Sequence, residues 1–194
     1  AGNGRLSSLG TLGLSAGQVS LNAPSSIAGG GDTTVSVGGQ LNNVGRLTSA
    51  TNLIVNAGGI NNQGTLGSGQ GLTVTTGALV NDHGLIFSGA DMSLRLDTLN
   101  NSYADIYSLG NLSIDRDGQG GLATSVINSS SSIQSDGNLS LAASTLQNVR
   151  AVLTTSAGGI YTASITEYPC IESPNYAGDC SGKQNHLWQI RSEE

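Results

Sequence analysis

The 194 residues suffice for one ordinary domain, but only 10% are charged and 4% aromatic, against about 25% charged in a typical chain, which excludes a rounded core built on aromatic bulk. A polyelectrolyte-type disordered chain is excluded as well, because that state combines low hydrophobicity with high charge. The net charge is −6 and the seven basic residues are scattered, so the clustered cations of a nucleic-acid surface are missing, and no apolar run reaches the roughly 18 residues of a membrane span.

What remains is a Ser, Thr, Asn and Gly surface over Leu, Ile and Val, a balance that suits strands and tight turns. Taken in chain order, the pattern begins at once. Ala1 stands in mid-pattern, so the chain reads as a piece of something longer. Leu9, Leu12, Leu14, Val19, Leu21 and Ile27 keep an aliphatic rhythm that predicts one or two coils ahead of Val35.

From Leu41 an aliphatic residue followed by an amide recurs: Leu41-Asn42, Ile60-Asn61, Val80-Asn81, Leu99-Asn100, Ile127-Asn128 and Leu146-Gln147, at intervals of 19, 20, 19, 28 and 19 residues. A second aliphatic follows each amide, as Leu47, Leu66, Ile86, Ile106, Ile133 and Val152. A small residue and a turn then lead to a pair spaced by two: Leu53/Val55, Leu72/Val74, Met92/Leu94, Leu112/Ile114 and Leu139/Leu141. Spacing by two places both side chains on one face of a strand, and the strong helix formers Glu, Lys and Arg are scarce.

One coil of about twenty residues buries too little to offset its backbone entropy, so the coils must stack at the strand spacing of about 4.8 Å. The predicted fold is all-β, a right-handed parallel β-helix (solenoid) of about 19–20 residues per coil, the hand following from the preference of parallel crossovers. Seven or eight such coils make a rod of roughly 35–40 Å. Leu41, Ile60, Val80 and Leu99 should stand one above another. Asn42, Asn61, Asn81, Asn100 and Asn128 should form an amide ladder along one turn, against the alternative that Asn is there only as a turn former.

The gap from Leu112 to Ile127 is 15 residues where seven or eight is usual, which predicts an outward insertion within 115–125. Asp115 and Asp117 with Gly118 have a faint calcium-loop look, but no further oxygen ligands follow at the right distance, and a plain turn is expected. The Asn-x-Ser triplets at Asn100, Asn111, Asn128 and Asn138 arise from the repeat itself. Ice binding would need flat Thr ladders, and Thr73, Thr75 and Thr76 occur in one coil only.

Gly137–Asn148 and Leu99–Ser102 resemble the repeats of filamentous haemagglutinins, the large exoproteins of two-partner secretion, whose relatives include effectors of contact-dependent growth inhibition. The resemblance covers about residues 17–162 of the sequence. It implies a β-helix filament, secreted through an outer-membrane partner pore to the bacterial cell surface, with adhesive or toxin-delivery functions toward a target-cell receptor or polysaccharide. The expected organisation is a β-helix over 1–166 and, over 167–194, a disulfide-closed excursion or the start of a further segment.

That excursion holds both cysteines, the only Trp, the only Lys and two of the three prolines. Cys170 and Cys180, ten residues apart in an otherwise cysteine-free chain, predict a disulfide worth roughly 2–3 kcal/mol in the chain-entropy model, against a metal site shared with His186. Tyr168, Tyr176, His186 and Trp188 are a candidate contact surface, against the reading that Trp188 and Ile190 cover the side or end of the helix.

Parallel β-helices also include polysaccharide lyases and hydrolases, which need paired carboxylates. Asp82, Asp91, Asp97, Asp105, Asp115 and Asp117 share no coil offset and His83 stands alone, so no catalytic residue, cofactor or metal is expected. The expected role is a structural and adhesive filament segment rather than an enzyme, with a receptor-binding tip and a polysaccharide-active β-helix as alternatives.

Overall fold

Alternation decides each strand, because an aliphatic at every second position leaves one face to bury and one face to wet. The computed structural model describes residues 4–150, which belong to the first of two units, Ala1–Thr154 and Thr155–Glu194. The expectations on Val152, Cys170, Cys180, Tyr168, Tyr176, His186, Trp188 and the 167–194 segment lie outside the described residues.

Every strand pairing is parallel. Seven short strands, Arg5–Ser8, Ser26–Gly29, Arg46–Ser49, Thr65–Ser68, Leu85–Ser88, Asp105–Ser108 and Ser132–Ser135, stack in chain order into one sheet and mark seven turns of a β-solenoid. Between them run the strands of the second sheet, of which Thr33–Asn43, Leu53–Asn62, Leu72–Asp82 and Met92–Ser102 are the long, unbroken ones. In the first turn the same path is split into Leu12–Ala16 and Val19–Leu21, and near the end into Leu112–Asp115 with Ala123–Ser129 and Leu139–Leu141 with Ala143–Val149. No helix occurs among the described residues.

The register aligns like residues into inward columns. Leu14, Val35, Val55, Val74, Leu94, Ile114 and Leu141 form one, and Ile27, Leu47, Leu66, Ile86, Ile106 and Ile133 face them from the short strands. Val55, Leu66 and Leu94 have no exposed surface, so each contributes about 1.5–3 kcal/mol by leaving water.

A third column corrects the sequence reading. It runs Val19, Leu41, Ile60, Leu79, Leu99, Val126, so Leu79 stands where Val80 was expected. Val80 is half-buried on the outer face, paired with Asn61 and Asn100. Because side chains alternate, a slip of one residue exchanges inside for outside.

Turn lengths explain the wavering interval. From Asn43 to Arg46 and from Asn62 to Thr65 the chain takes three steps, but from Asn81 to Leu85 and Asn101 to Asp105 it takes four. The extra residue is His83 or Tyr103, at φ of 56° and 47°, and Ser130 repeats the conformation at 49°. A left-handed residue thus absorbs the insertion without disturbing the strands on either side. In Thr33–Asn43 the extra residue goes elsewhere, where Gly38 and Gly39 together oppose Gly58 as a bulge.

Candidate functional site

The corner where each long strand turns toward its short strand carries a buried column of asparagines. Asn43 Nδ2 donates to Asn62 Oδ1 at 2.7 Å, Asn62 to Asn81 at 2.7 Å, Asn81 to Asn101 at 2.8 Å, Asn101 to Asn128 at 2.8 Å and Asn128 to Asn148 at 2.9 Å. The amides also cap the turn, since Asn43, Asn62, Asn81 and Asn101 each donate to a carbonyl of a nearby turn or of the next strand. Alternatives to these bonds are lacking, as Asn81 and Asn101 have no exposed surface.

This ladder differs from the sequence expectation in three places. Asn81 and Asn128 stand in it, but Asn42, Asn61 and Asn100 do not; their successors Asn43, Asn62 and Asn101 do. Asn42 and Asn61 face outward and form a separate exposed bond at 3.0 Å, and Asn100 is exposed. The motif is an inward aliphatic, any outward residue, then the inward Asn, as in Leu79-Val80-Asn81. The doubled Asn42-Asn43, Asn61-Asn62 and Asn100-Asn101 hid this spacing.

The ladder has a direction, each Nδ2 reaching the following turn. At its start Asn43 Oδ1 is buried without a donor among the described residues, because the paired position one turn earlier is Leu21.

Two further columns at the opposite corner were missed. Ser49, Ser68, Ser88 and Ser108 are buried at the ends of the short strands, and their hydroxyls donate to turn carbonyls at 2.7–3.1 Å. A small residue at that position was legible, but not its bonding. Outside the same turn, Asp32 Oδ1 accepts from Thr51 Oγ1, Asn52 Nδ2 and Asn52 N–H, which hold its carboxyl below the usual value of 3.8. Asp91 Oδ1 accepts from Asn111 N–H and Nδ2 in the same way.

Gly71 interrupts that outer column. Its N–H donates to Asn52 Oδ1 at 3.0 Å, but it has no side chain to pass the bond on. Gly71→Asn is expected to stabilise the fold by about 1 kcal/mol, through one new amide bond and a less flexible unfolded chain. A urea midpoint below that of the parent protein would contradict it.

The insertion is a closed loop between Asp115 and Ala123. Arg95 to Thr98 spans three steps and the paired Asp115 to Ser125 spans ten, so seven residues are added. The buried Asp115 accepts from the N–H groups of Gly118 and Gly120, the loop being closed by Arg116 N–H on Gly121 O at 2.9 Å. Asp117 Oδ1 accepts from Gln119 and Gly121 N–H, at 2.9 and 3.0 Å. Backbone amides thus fill the places that a cation would need, and among the described residues no three His, Cys, Asp or Glu side chains converge.

The two N–H bonds lower the Asp117 pKa below 3.8. A depressed folded-state value means that the contribution is present above the unfolded value and lost as pH falls through the folded one. Amide exchange at Gln119 and Gly121, corrected for its intrinsic pH dependence, should therefore be protected above pH 3.8 and accelerate below it. Protection that increases on acidification would contradict this.

The acids weighed as catalytic groups are dispersed. Asp97 accepts from Thr124 Oγ1 at 2.7 Å, Asp82 meets His83 Nδ1 at 2.8 Å with Asp105 one turn on at the same corner, and Asp91 and Asp115 sit at other corners or strands. No helix of the described residues is long and apolar enough to cross a membrane.

Comparison with known proteins follows the same repeat. The haemagglutinin repeat family model matches at residues 1–63, 55–119 and 108–166. The chain is similar to the deoxyribonuclease CdiA of Dickeya dadantii (strain 3937), 32% identical over 156 residues, which is 80% of this chain and 4% of that protein. It is also similar to the tRNA nuclease CdiA of Escherichia coli O6:K15:H31 (strain 536 / UPEC) and of Escherichia coli (strain NC101). Each is 28% identical over 121 residues, 62% of this chain and 3% of the relative. The chain therefore spans 4% or less of the length of these curated relatives. No solved structure matches it.

Proposed function

The chain belongs to the haemagglutinin repeat family, and from that premise we propose that it is a structural and adhesive segment of a long secreted bacterial exoprotein, holding a receptor-binding or toxin-delivery module away from the cell. The observation that carries this reading is the unbroken asparagine ladder from Asn43 to Asn148, which ties each turn to the next through bonds that are buried as far as Asn128. Such an arrangement transmits position and load along the stack, and it asks no residue to do chemistry. Family membership supports export through an outer-membrane partner pore to the bacterial surface. The nuclease activities in the relatives' names belong to proteins of which this chain matches a small fraction, so a toxin module carried elsewhere on the same exoprotein fits the reading.

Deletion of one whole turn provides the test. Removing residues 53–71 from the full exoprotein brings Leu72 into the place of Leu53, with which it is paired in register. Export and target-cell binding are expected to persist, with the filament shortened by one rung of about 4.8 Å. Loss of target binding with export intact would mean that this stretch is itself the contact site. Deleting 163–194 separately tests the receptor-binding tip, and new reducing ends or unsaturated products from acidic polysaccharides would overturn the non-enzymatic reading.

A further inference from the structure

All the Phe and Tyr side chains among the described residues, Phe87, Tyr103 and Tyr107, fall on two neighbouring turns. In Leu85–Ser88 and Asp105–Ser108 the buried Ile86, Ser88, Ile106 and Ser108 point inward. Leu85, Phe87, Asp105 and Tyr107 therefore face outward, Phe87 paired with Tyr107. On the other turns the same outward column holds Ser7, Ala28, Thr48, Gly67 and Gln134, none of them aromatic. At the adjoining corner the left-handed His83 and Tyr103 bring their rings into a stack with centroids 5.3 Å apart. Tyr103 is 44% exposed and Leu85 38% at this corner, and Leu109, 53% exposed, follows Tyr107 and Ser108 at the far end of the short strand.

The charge around this patch has one sign. Asp82 meets His83, Asp105 pairs with Leu85 in register, and Asp136 accepts from the Tyr107 hydroxyl at 2.9 Å. The two arginines of these turns, Arg95 and Arg116, lie on the other sheet and in the loop that leaves it, and those in the column of Leu85, Arg46 and Arg5, are two and four turns away from it.

We propose that this patch docks a protein partner that presents arginine or lysine beside apolar side chains. A guanidinium stacks on aromatic rings and pairs with carboxylates, and both are here side by side. Aromatic residues and arginine are the groups enriched where protein surfaces meet. A glycan is the weaker fit, because the exposed Leu85 and Leu109 offer nothing to hydroxyls. The proposal goes beyond the shaft reading and stands or falls independently of it.

The test uses the whole chain with three fluorescein-labelled probes, read by anisotropy: the capped peptide LRWRL, its charge-reversed partner LEWEL, and chitohexaose. LRWRL is expected to bind at least about ten-fold more tightly than LEWEL and to weaken in about 0.5 M salt. The pair Tyr103→Asn with Leu109→Ser, and separately Asp82→Asn with Asp105→Asn, should each weaken it by about ten-fold, while Thr48→Ala leaves it unchanged. Asparagine keeps the left-handed turn at position 103, and unchanged circular dichroism melts identify variants that fold. Absence of LRWRL binding up to about 1 mM, equal binding of both peptides, indifference to the paired variants, or binding of chitohexaose alone would overturn the proposal. So would self-association that the same variants abolish.

Discussion

Asn81→Ala is expected to destabilise the stack by about 2–4 kcal/mol, while Asn61→Ala changes it by less than about 0.5 kcal/mol. Asn81 accepts from Asn62 and donates to Asn101, so the substitution removes two ladder bonds of about 1 kcal/mol each. It also strands Asn101 Oδ1, whose donor is Asn81, in a site without solvent, at about 1–3 kcal/mol more. The acceptor cannot turn outward, because the Nδ2 of the same amide is held by Ala104 O, Asn128 Oδ1 and Ser132 O. Asn61, at the outward position that pairs with Val80, bonds only to Asn42 and is exposed, so water replaces what is lost. Urea midpoints of the two variants decide the matter. Equal effects would mean that the amides act as turn formers and not as a ladder.

Gly64→Ala should cost about 2–3 kcal/mol, the scale of overpacking against atoms that cannot move away. A Cβ there would stand 2.1 Å from the backbone oxygen of Gly45, one turn below. Gly45 repeats the situation against Ser25 O at 2.1 Å. After left-handed Tyr103 the same column holds Ala104, but after left-handed His83 it holds Gly84, where a Cβ would stand 2.7 Å from Asn62 O and 2.5 Å from the Asn81 side chain. Ala104→Gly should accordingly lose only about 0.4–1 kcal/mol, through the freer unfolded chain. Gly84→Ala is expected to cost about as much as Gly64→Ala, since the longer turn of His83 leaves its Cβ position against Asn62 O at 2.7 Å. Urea midpoints of Gly64→Ala and Gly84→Ala equal to that of the parent would mean that the neighbouring turn yields and that the column does not need glycine.

Stack, period and pairing direction were legible because they rest on local chemistry repeated many times. Leu47, Leu66, Ile86 and Ile106 keep phase with Leu53/Val55 and Leu72/Val74, and only parallel stacking gives such a pattern a shared interior. The insertion after Asp115 was legible for the same reason, as a break in phase. Which neighbour of a pair faces inward was not. Asn42 and Asn43 are chemically identical, and the register that buries Asn43 is set by the turns above and below it, through Asn62 and Asn81. The gathering of Phe87, Tyr103 and Tyr107 is likewise invisible along the chain, where they lie as many as twenty residues apart, and it emerges once a coil of twenty residues places Phe87 beside Tyr107. Composition and periodicity thus determined that the chain coils and stacks. Tertiary structure alone decided which side chains meet between rungs, because a period-two strand turns a shift of one residue into an exchange of core for surface.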